Sequence, residues 1–315
     1  MGLLLVDKPA GITSHDVVAV VRRAARSRRV GHAGTLDPFA TGLLVVAVGT
    51  CTRLLPYLDG EPKVYDAVIQ FGTETDTDDA TGTAVRNAAL PDLAGLARAI
   101  TSLTGTVSQQ PPAFSAKHVD GQRAYAMARR GDSVNLPSVT VTVHAWDVRH
   151  ATPAQVDVRI TCGGGTYIRA LARDLGRALD SAAHCASLRR VASGVATVDT
   201  ALPLAALTPG AIADGTVPLR SPLPFLAEMA HEVLDDEGLR ALSFGRTVAA
   251  TQPGSRAALL SAGTVVAIAE RVTTRVANAG GADRWQPRVV LGVEPPNGQP
   301  SSPDATPIVP GEAGT

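Results

Sequence analysis

The feature that most constrains this chain is a twelve-residue segment, Gly31–Gly42, that leads directly into an apolar run. The segment reads GHAGTLDPFATG, so one carboxylate stands among three glycines, and the run Leu43–Val48 that follows contains no polar side chain. Pro38 disfavours the α region for Asp37, and the glycines allow a neighbour or a ligand to approach the backbone closely. A continuous apolar run of this length is typical of a buried strand. We therefore predict that Asp37 is presented on a tight loop beside a buried strand.

An Asp-Pro pair alone usually marks a simple turn, in which the Asp side chain bonds its own backbone. Further short segments follow along the chain: Asp7–Ser14 (DKPAGITS), Lys63–Tyr65, Thr75–Asp78 with Gly82, Gly165–Arg169 and Leu188–Arg190. Together with the first segment, they resemble the signature of the TruB-type tRNA pseudouridine synthases, which convert the T-loop uridine at tRNA position 55. Several motifs in order are more specific than any one of them.

The resemblance implies catalytic roles for three residues. The Asp of the family's motif is the nucleophile, which implies that role for Asp37. The sequence leaves open whether it attacks the ribose carbon C1′, attacks base carbon C6, or helps to form a glycal. Arg169 is implied to pair with Asp37 through a bidentate bond that orients the carboxylate and keeps it ionised. Tyr65 is implied to stack on the target base or to transfer a proton.

Further residues are implied to contact the substrate. His32 would occupy the space that the flipped base vacates, Leu188 would line the pocket, and Tyr167 and Lys8 lie in matching motifs. Taken singly, a Leu is usually a core residue and a His beside Gly is usually a loop residue. These roles therefore rest on the resemblance.

Residues 108–137 resemble the insertion with which the family grips RNA. Its basic residues are implied to contact phosphates: Lys117, Arg123, Arg129 and Arg130. The segment departs from the family's usual pattern, because His118 stands where a Lys is common and Gln122 replaces another frequent Lys. The departures predict an RNA grip that is weaker or more sensitive to pH than is typical.

A second basic cluster precedes the Asp37 loop. It contains five arginines within eight residues: Arg22, Arg23, Arg26, Arg28 and Arg29. A polyanion held by this cluster would be guided toward Asp37. The alternative is a solvated helix end, which the helix macrodipole favours.

Hydrophobic periodicity predicts both strands and helices. Strands are predicted at 3–6, 43–48, 64–72, 138–148 and 155–162, and helices are predicted at 92–104 and after Gly163–Gly165. We expect Ser14 to cap another helix, whose apolar positions begin at Val17. The pattern indicates an α+β fold, and the resemblance implies the pseudouridine synthase fold, with a mixed, largely antiparallel sheet.

The chain is predicted to contain two domains. The segment Ser221–Pro224 interrupts the pattern, which predicts a catalytic domain at 1–222 and a small β-rich unit at 223–293. Short strand-like runs support the second unit: 257–260, 264–270 and 288–293. This unit loosely resembles a PUA-like RNA-binding domain. Residues 294–315 are rich in Pro, Gly and Ser and predict a disordered tail.

The net charge of the chain excludes no class of substrate, and its cysteines indicate no special site. The chain carries 29 basic and 29 acidic residues, so its formal net charge of zero is compatible with RNA and with small-molecule substrates. Cys51, Cys162 and Cys185 are far apart and indicate neither a zinc site nor a disulfide framework. The first apolar run is too short for a signal peptide or a membrane span. We therefore expect a cytoplasmic protein. We also expect it to be a monomer.

The acidic segment Asp76–Asp79 invites comparison with a calcium loop. Ala80 and Thr81 stand where a further ligand and a glycine belong, so the calcium loop is rejected and a solvated acidic turn is predicted. Converting uridine to pseudouridine involves no redox change, and we therefore expect neither a metal nor an organic cofactor. The target uridine must be flipped out of the folded tRNA, at a cost of roughly a few kcal/mol.

Two other classes of protein remain open. One is a non-catalytic protein that binds or folds tRNA through the same surface. The other is a carboxylate hydrolase such as a glycosidase. A glycosidase normally needs a second carboxylate at a defined separation, and Gly31–Gly42 contains only Asp37.

Overall fold

The computed structural model describes residues 1–58, 60–114, 136–276 and 279–292, with the backbone alone at 118–119, 122–123, 274–276 and 279–282. The chain divides into two compact units, Met1–Phe225 and Leu226–Thr315. The tail predicted at 294–315 lies outside the described residues. None of the described helices combines the length and the apolar character that a membrane span requires.

The N-terminal unit is built around one large sheet. Its described strands are β1 (Gly2–Lys8), β2 (Val30–Ala33), β3 (Thr41–Val48), β4 (Lys63–Phe71), β5 (Thr73–Thr75), β6 (Ala84–Asn87), β7 (Gly105–Gln109), β8 (His118–Val119), β9 (Gln122–Arg123), β10 (Val139–Ala151), β11 (Gln155–Cys162), β12 (Ala183–Ser193), β13 (Ala196–Thr197) and β14 (Leu202–Pro203). The large sheet has the order β14-β1-β3-β12-β4-β11-β10-β7, with β2 beside β3 and β13 beside β12. The strands β5 and β6 pair with each other, as do β8 and β9.

The mixed, largely antiparallel sheet confirms the predicted fold class. Strand β14 runs parallel to β1, and β12 runs parallel to β3. The other described pairs in this sheet are antiparallel. Residues of β4 alternate between a buried and a more exposed face, as the two-residue period of a strand requires. This alternation places Lys63 and Tyr65 on the same face.

Helix α1 (Ser14–Ala25) is capped by Thr13, and the prediction of Ser14 as its cap is wrong. The Thr13 hydroxyl accepts a hydrogen bond from the backbone of Asp16 at 3.1 Å, and the Asp16 carboxylate accepts one from the backbone of Thr13 at 2.8 Å. This reciprocal pair satisfies two backbone donors at once. Ser14 is 2% exposed, and its hydroxyl bonds the backbone of Leu36 instead, accepting at 2.9 Å and donating at 3.1 Å. It thereby ties α1 to the Asp37 loop.

Two further helices lie in the described part of the N-terminal unit. The helix predicted at 92–104 is shorter in the structure: α2 spans Leu96–Ser102 and follows a 3-10 turn at Leu93–Gly95. The Thr104 hydroxyl bonds a carbonyl of α2 at its end, where Gly105 adopts a φ of +87°. Helix α3 (Ile168–Ala178) follows the Gly-rich turn as predicted, and it packs its apolar side against a core that β4 and β11 also line.

The C-terminal unit contains a second sheet. Its strands are β15 (Ala230–Val233), β16 (Val248–Ala249), β17 (Arg256–Ser261), β18 (Thr264–Val276) and β19 (Ala279–Val290), in the order β15-β17-β18-β19-β16. The run predicted at 288–293 is strand only as far as Val290. Helix α4 (Asp236–Ser243), which the sequence analysis did not predict, is capped by Asp235. The indole of the fully buried Trp285 donates to the Glu232 carboxylate at 2.8 Å.

Candidate active site

A cavity of about 500 Å³ lies in the N-terminal unit, where β2, β4, β12 and the start of α3 meet. Its lining is formed by His32–Asp37, Leu55–Pro56, Lys63, Tyr65, Gly165–Arg169, Leu188 and Arg190. The residues predicted from the sequence that the cavity brings together are Asp37, Tyr65, Arg169, His32, Tyr167 and Leu188. The volume falls within the range of sites for small ligands.

The Asp37 loop is fixed by its own backbone and by neighbouring segments. The Gly11 N–H donates to the Pro38 carbonyl at 2.8 Å, and the Ala40 N–H donates to the Asp37 carbonyl at 3.1 Å. Gly42, the second residue of β3, has a φ of +100°, and a Cβ there would clash with the backbone of Arg190 on β12. Glycine is therefore required where the loop enters the sheet. The Asp37 side chain remains 34% exposed while its backbone is fixed.

Lys8 supports this loop and does not line the cavity, which corrects its predicted contact with the substrate. Its side chain is fully buried, and its ammonium donates to the carbonyls of Pro9 at 2.9 Å, Ile12 at 2.8 Å and Pro38 at 3.3 Å. Burial lowers the pKa of Lys8 to about 8, although the Asp37 carboxylate acts in the opposite direction. A side chain without exposed surface cannot touch RNA, so Lys8 acts on the position of the loop.

Arg169 is the cation that meets Asp37. Its guanidinium is 4% exposed, and Nη2 donates to Asp37 Oδ1 at 2.8 Å and to the Phe114 carbonyl at 3.0 Å. Nη1 donates to the Thr77 carbonyl at 2.7 Å and to Asp79 Oδ2 at 3.3 Å. The prediction of a bidentate bond to Asp37 is therefore wrong, because Thr77 and Asp79 hold the second nitrogen. The single bond still fixes one oxygen of the Asp37 carboxylate.

The pKa of Asp37 is raised above the ordinary value for aspartate. Burial of the carboxylate is the main cause, and it outweighs the neighbouring charge of Arg169, which lowers the pKa. The Asp79 carboxylate raises the pKa further. Arg169 thus lowers the pKa of Asp37, as expected, but burial has the larger effect and the pKa is raised. The ionised form, which a nucleophile needs, is reached at a higher pH than in an exposed aspartate.

The acidic turn Asp76–Asp79 is buried at Asp78 and Asp79 and exposed at Asp76, whereas the sequence analysis predicted a solvated turn throughout. Asp78 and Asp79 are 6% and 4% exposed. Arg173 donates to Asp78 at 2.7 Å, and the backbone of Thr81 donates to Asp79 at 3.0 Å. Burial raises the pKa of Asp78 to about 6, although the charge of Arg173 opposes the shift. Buried carboxylates are tolerated here because each has a cation and hydrogen-bond donors within reach.

Three arginines on one side of α3 bind carboxylates of the segment Glu74–Asp79. Arg169, Arg173 and Arg177 are spaced four residues apart, which places them on one face of the helix. Arg177 holds Glu74 with two bonds, at 3.0 Å from Nε and 2.7 Å from Nη2. The three pairs hold α3 against β5 and the turn that follows it. The four-residue spacing was visible in the sequence and could have indicated this role.

Tyr65, Lys63 and Arg190 form another part of the cavity wall. Tyr65 is 7% exposed, and burial raises the pKa of its phenol, so the hydroxyl stays protonated at neutral pH. Arg190 is 1% exposed and donates to the carbonyls of Leu43 at 2.7 Å and Gly34 at 3.0 Å. The sequence analysis gave Lys63 and Arg190 no role. The two-residue period of a strand could have found both, because each stands two residues from a predicted site residue.

His32, Leu188 and Tyr167 also line the cavity. Burial lowers the pKa of His32, which is neutral at neutral pH, and its Nδ1 has no hydrogen-bond partner among the described residues. Leu188 is 6% exposed and presents an apolar side chain. Tyr167 is the N-cap residue that precedes α3. The substrate contacts of these three residues stay predictions, and all three residues line the cavity.

The predicted RNA-gripping residues lie mostly outside the described part of the chain. Those without a description are Lys117, Arg129 and Arg130. Arg123 is in the two-residue strand β9, of which only the backbone is described. The arginines of the cluster at 22–29 are all exposed. Arg26 pairs with Asp214 at 3.1 Å on the surface. Within the described residues no three His, Cys, Asp or Glu side chains are grouped so as to hold a metal ion.

The chain is similar to known proteins over most of its length. Residues 22–168 match the family model described as TruB family pseudouridylate synthase (N terminal domain). A tRNA pseudouridine synthase B of Arthrobacter sp. strain FB24 is 41% identical over 317 residues, which cover 95% of this chain and 98% of the relative. Another, from Thermobifida fusca, is 52% identical over 213 residues, which cover 64% of this chain and 73% of the relative.

A solved structure shows the same fold. The structure of an H/ACA RNP bound to a substrate RNA containing 2′-deoxyuridine includes a chain that superposes with a TM-score of 0.68 at 21% identity. The match covers 92% of this chain and 85% of that chain. On the strength of its full-length relatives, the chain belongs to the TruB family of pseudouridylate synthases, which are isomerases.

Proposed function

We propose that the chain converts the T-loop uridine at position 55 of tRNA to pseudouridine, with Asp37 as the nucleophile. The observation that carries this proposal is the pairing of Asp37 with the buried Arg169 in a cavity whose described lining holds no second carboxylate. Relatives that match almost the whole chain are named tRNA pseudouridine synthase B. The glycosidase alternative is disfavoured, because that chemistry uses a second carboxylate across the scissile bond.

The reaction exchanges one bond to the ribose for another. The N1–C1′ bond breaks, the uracil turns, and C5 forms a bond to C1′; C5 loses a proton and N1 gains one. Asp37 would act on C1′ or on C6, or would assist loss of the C2′ proton to give a glycal. Each route needs an oriented carboxylate and a site from which bulk water is kept away. The fixed loop and the bond from Arg169 supply the orientation.

Base flipping brings the uridine to Asp37. Removing a base from its stack costs roughly a few kcal/mol, which contacts in the pocket must offset. Tyr65 offers a ring for stacking, and Leu188 offers an apolar wall. His32, neutral and on strand β2, would fill the space that the base leaves. These roles match the position of each residue in the cavity lining.

Variants of Tyr65 separate stacking from proton transfer. Tyr65→Leu should weaken productive binding, because stacking of one base on an aromatic ring contributes about 1–3 kcal/mol. Tyr65→Phe should bind RNA normally, because stacking requires only the ring. Binding titrations and single-turnover rates at saturating tRNA measure the two effects. A Phe variant whose rate falls by about 10²–10⁴-fold would assign the hydroxyl to proton transfer, and a Leu variant with normal binding and rate would contradict both roles.

The exposed arginines before the Asp37 loop are proposed to contact phosphates. Replacing Arg28 and Arg29 with Gln should weaken tRNA binding and leave the single-turnover rate at saturating tRNA unchanged. Each lost phosphate contact should reduce the slope of log affinity against log salt by about 0.7–0.9. Arg98→Gln, at an exposed arginine of α2, is the matched control. A salt slope unchanged in the double variant would show that this helix end is only solvated and that RNA enters elsewhere.

The remaining parts of the chain are assigned roles in holding RNA. We propose that the insertion at 108–137 grips the T-arm through Lys117 and Arg123, and that it belongs to a catalytic domain at 1–222. The unit at 223–293 is proposed to be a PUA-like RNA-binding domain. We further propose that the protein acts as a monomer in the cytoplasm, without a metal or organic cofactor.

A T-arm hairpin transcript tests the proposed substrate. The protein should form pseudouridine in this hairpin in the presence of a metal chelator and without any added cofactor. A matched hairpin, with cytidine at the target position, should bind equally well and give no product. A protein that binds both hairpins and modifies neither would be the non-catalytic RNA-binding or RNA-folding protein.

A further inference from the structure

Gln109, the last residue of β7, is a buried polar side chain outside the cavity lining. It is 1% exposed. Its Oε1 accepts a hydrogen bond from the Tyr167 N–H at 2.8 Å, and its Nε2 donates to the Tyr167 carbonyl at 2.9 Å. Both ends of the amide are therefore used on the backbone of one residue. Two bonds of this kind fix the position of that residue and also its orientation.

Tyr167 is a residue whose backbone position matters for the site. It is the N-cap of α3, with an extended backbone, and its own side chain makes no capping bond to the helix. The Tyr167 carbonyl also accepts the hydrogen bond from the Leu171 N–H at 3.1 Å, within the first turn. Arg169 lies two residues further along this turn. The place of its guanidinium therefore depends on where the backbone of Tyr167 is held.

The residues after Gln109 contact the same helix. The Gln110 carbonyl accepts from Arg173 Nη2 at 2.9 Å, and the Phe114 carbonyl accepts from Arg169 Nη2 at 3.0 Å. That nitrogen of Arg169 is the one that meets Asp37. The segment Gln109–Phe114 thus touches α3 at its start and at two of its arginines. Gln110 and Phe114 make these contacts with backbone carbonyls, whereas Gln109 makes its contact with its side chain. The contact of Gln109 can therefore be removed by a substitution.

We propose that Gln109 is a positioning residue for the reaction: it holds the start of α3 so that Arg169 meets Asp37. This inference rests on the proposed function. Gln109 itself does not line the cavity and does not touch the substrate. Gln109 falls within the segment 108–137 proposed to grip RNA, but its side chain is buried and is not among the basic residues proposed to contact phosphates. Removing its amide should therefore displace Arg169 relative to Asp37 and leave those basic residues unchanged.

Gln109→Leu tests the proposal, because Leu is apolar and of similar size but makes neither bond. The single-turnover rate at saturating tRNA should fall about 10- to 100-fold, as small displacements of catalytic groups do. The dissociation constant for tRNA should not change. The acid limb of the rate profile should move to higher pH, because the charge of Arg169 lowers the pKa of Asp37 and this effect weakens with distance.

Gln109→Glu gives a second and independent signature. A protonated Glu can accept from the Tyr167 N–H and donate to its carbonyl, as Gln does, whereas a carboxylate can only accept. The rate of this variant relative to wild type should therefore fall as pH rises. The ratio for Gln109→Leu should not fall in this way. Gln70→Leu makes the same substitution at an exposed glutamine of β4 and serves as the matched control.

The possible results separate this inference from the proposed function. Wild-type protein that forms no pseudouridine would refute the proposed function. Active wild type with a Gln109→Leu variant of normal rate and normal acid limb would refute only the positioning role. A variant that loses binding and rate together would also refute it, because the RNA-contacting surface would then depend on Gln109. If Gln109→Leu does not fold, the pH dependence of Gln109→Glu decides the question.

Discussion

Asp37→Asn is expected to abolish pseudouridine formation and to leave tRNA binding unchanged. Asn preserves the shape of the side chain, and its amide oxygen can accept the bond from Arg169 Nη2. An amide oxygen, however, is a poor nucleophile beside a carboxylate. The single-turnover rate at saturating tRNA should fall by roughly 10⁴-fold or more, as it does when other enzymes lose their nucleophile. Binding titrations of the same preparation measure the affinity for tRNA.

The stability of this variant provides its control. Burial raises the pKa of Asp37, so the ionised carboxylate is less favourable in the folded chain than in the unfolded chain. Its contribution to the free energy of unfolding therefore falls as pH rises from the ordinary aspartate pKa through the raised one. Asp37→Asn should be at least as stable as wild type at neutral pH, and this advantage should vanish below the ordinary aspartate pKa. A stable variant that retains turnover would exclude the nucleophile role.

Arg169→Lys should reduce the single-turnover rate by about 10²- to 10³-fold, the range seen when one charge-stabilising donor is lost. Lysine keeps the positive charge, but its ammonium cannot reproduce the planar fork that meets Asp37, Asp79 and two carbonyls together. Affinity for tRNA should change little, because Arg169 is buried. The measurement is the rate at saturating tRNA over a range of pH.

Arg177→Lys is the matched control on the same helix. Arg177 also binds a carboxylate, that of Glu74, but its side chain is 52% exposed and lies two turns along α3 from Arg169. Lysine keeps a positive charge beside the buried Glu74, which Arg86 also binds, so this variant should turn over almost as wild type does. Equal losses of rate in both variants would show that the arginines act only through the stability of α3.

Much of the fold could be predicted from the sequence, because the signals were local. The apolar run Leu43–Val48 and the alternating residues of 155–162 predicted strands that the structure contains. The miss at Ser14 has a physical cause: Thr13 and Asp16 satisfy each other, which left Ser14 free to bind Leu36 across 22 positions of sequence. Such a contact between distant segments leaves no periodic signal in the sequence.

The sequence analysis predicted which residues line the cavity better than it predicted how their charges interact. The resemblance placed Asp37 and Arg169 together, and the structure brings them within 2.8 Å. It could not reveal that Arg169 divides its bonds between Asp37 and a buried acidic turn. The sequence analysis predicted that Asp78 and Asp79 are solvated, because charged residues are rarely buried without partners. Their partners lie on α3, about ninety residues away in sequence.

The central claim is that Asp37 performs the isomerisation of one uridine in tRNA. The most direct test incubates unmodified tRNA with wild type and with Asp37→Asn, and maps pseudouridine at single-nucleotide resolution. We predict one modified position, the T-loop uridine at 55, with wild type, and none with the variant. Folded wild-type protein that leaves this uridine unmodified, or Asp37→Asn protein that modifies it, would contradict the account.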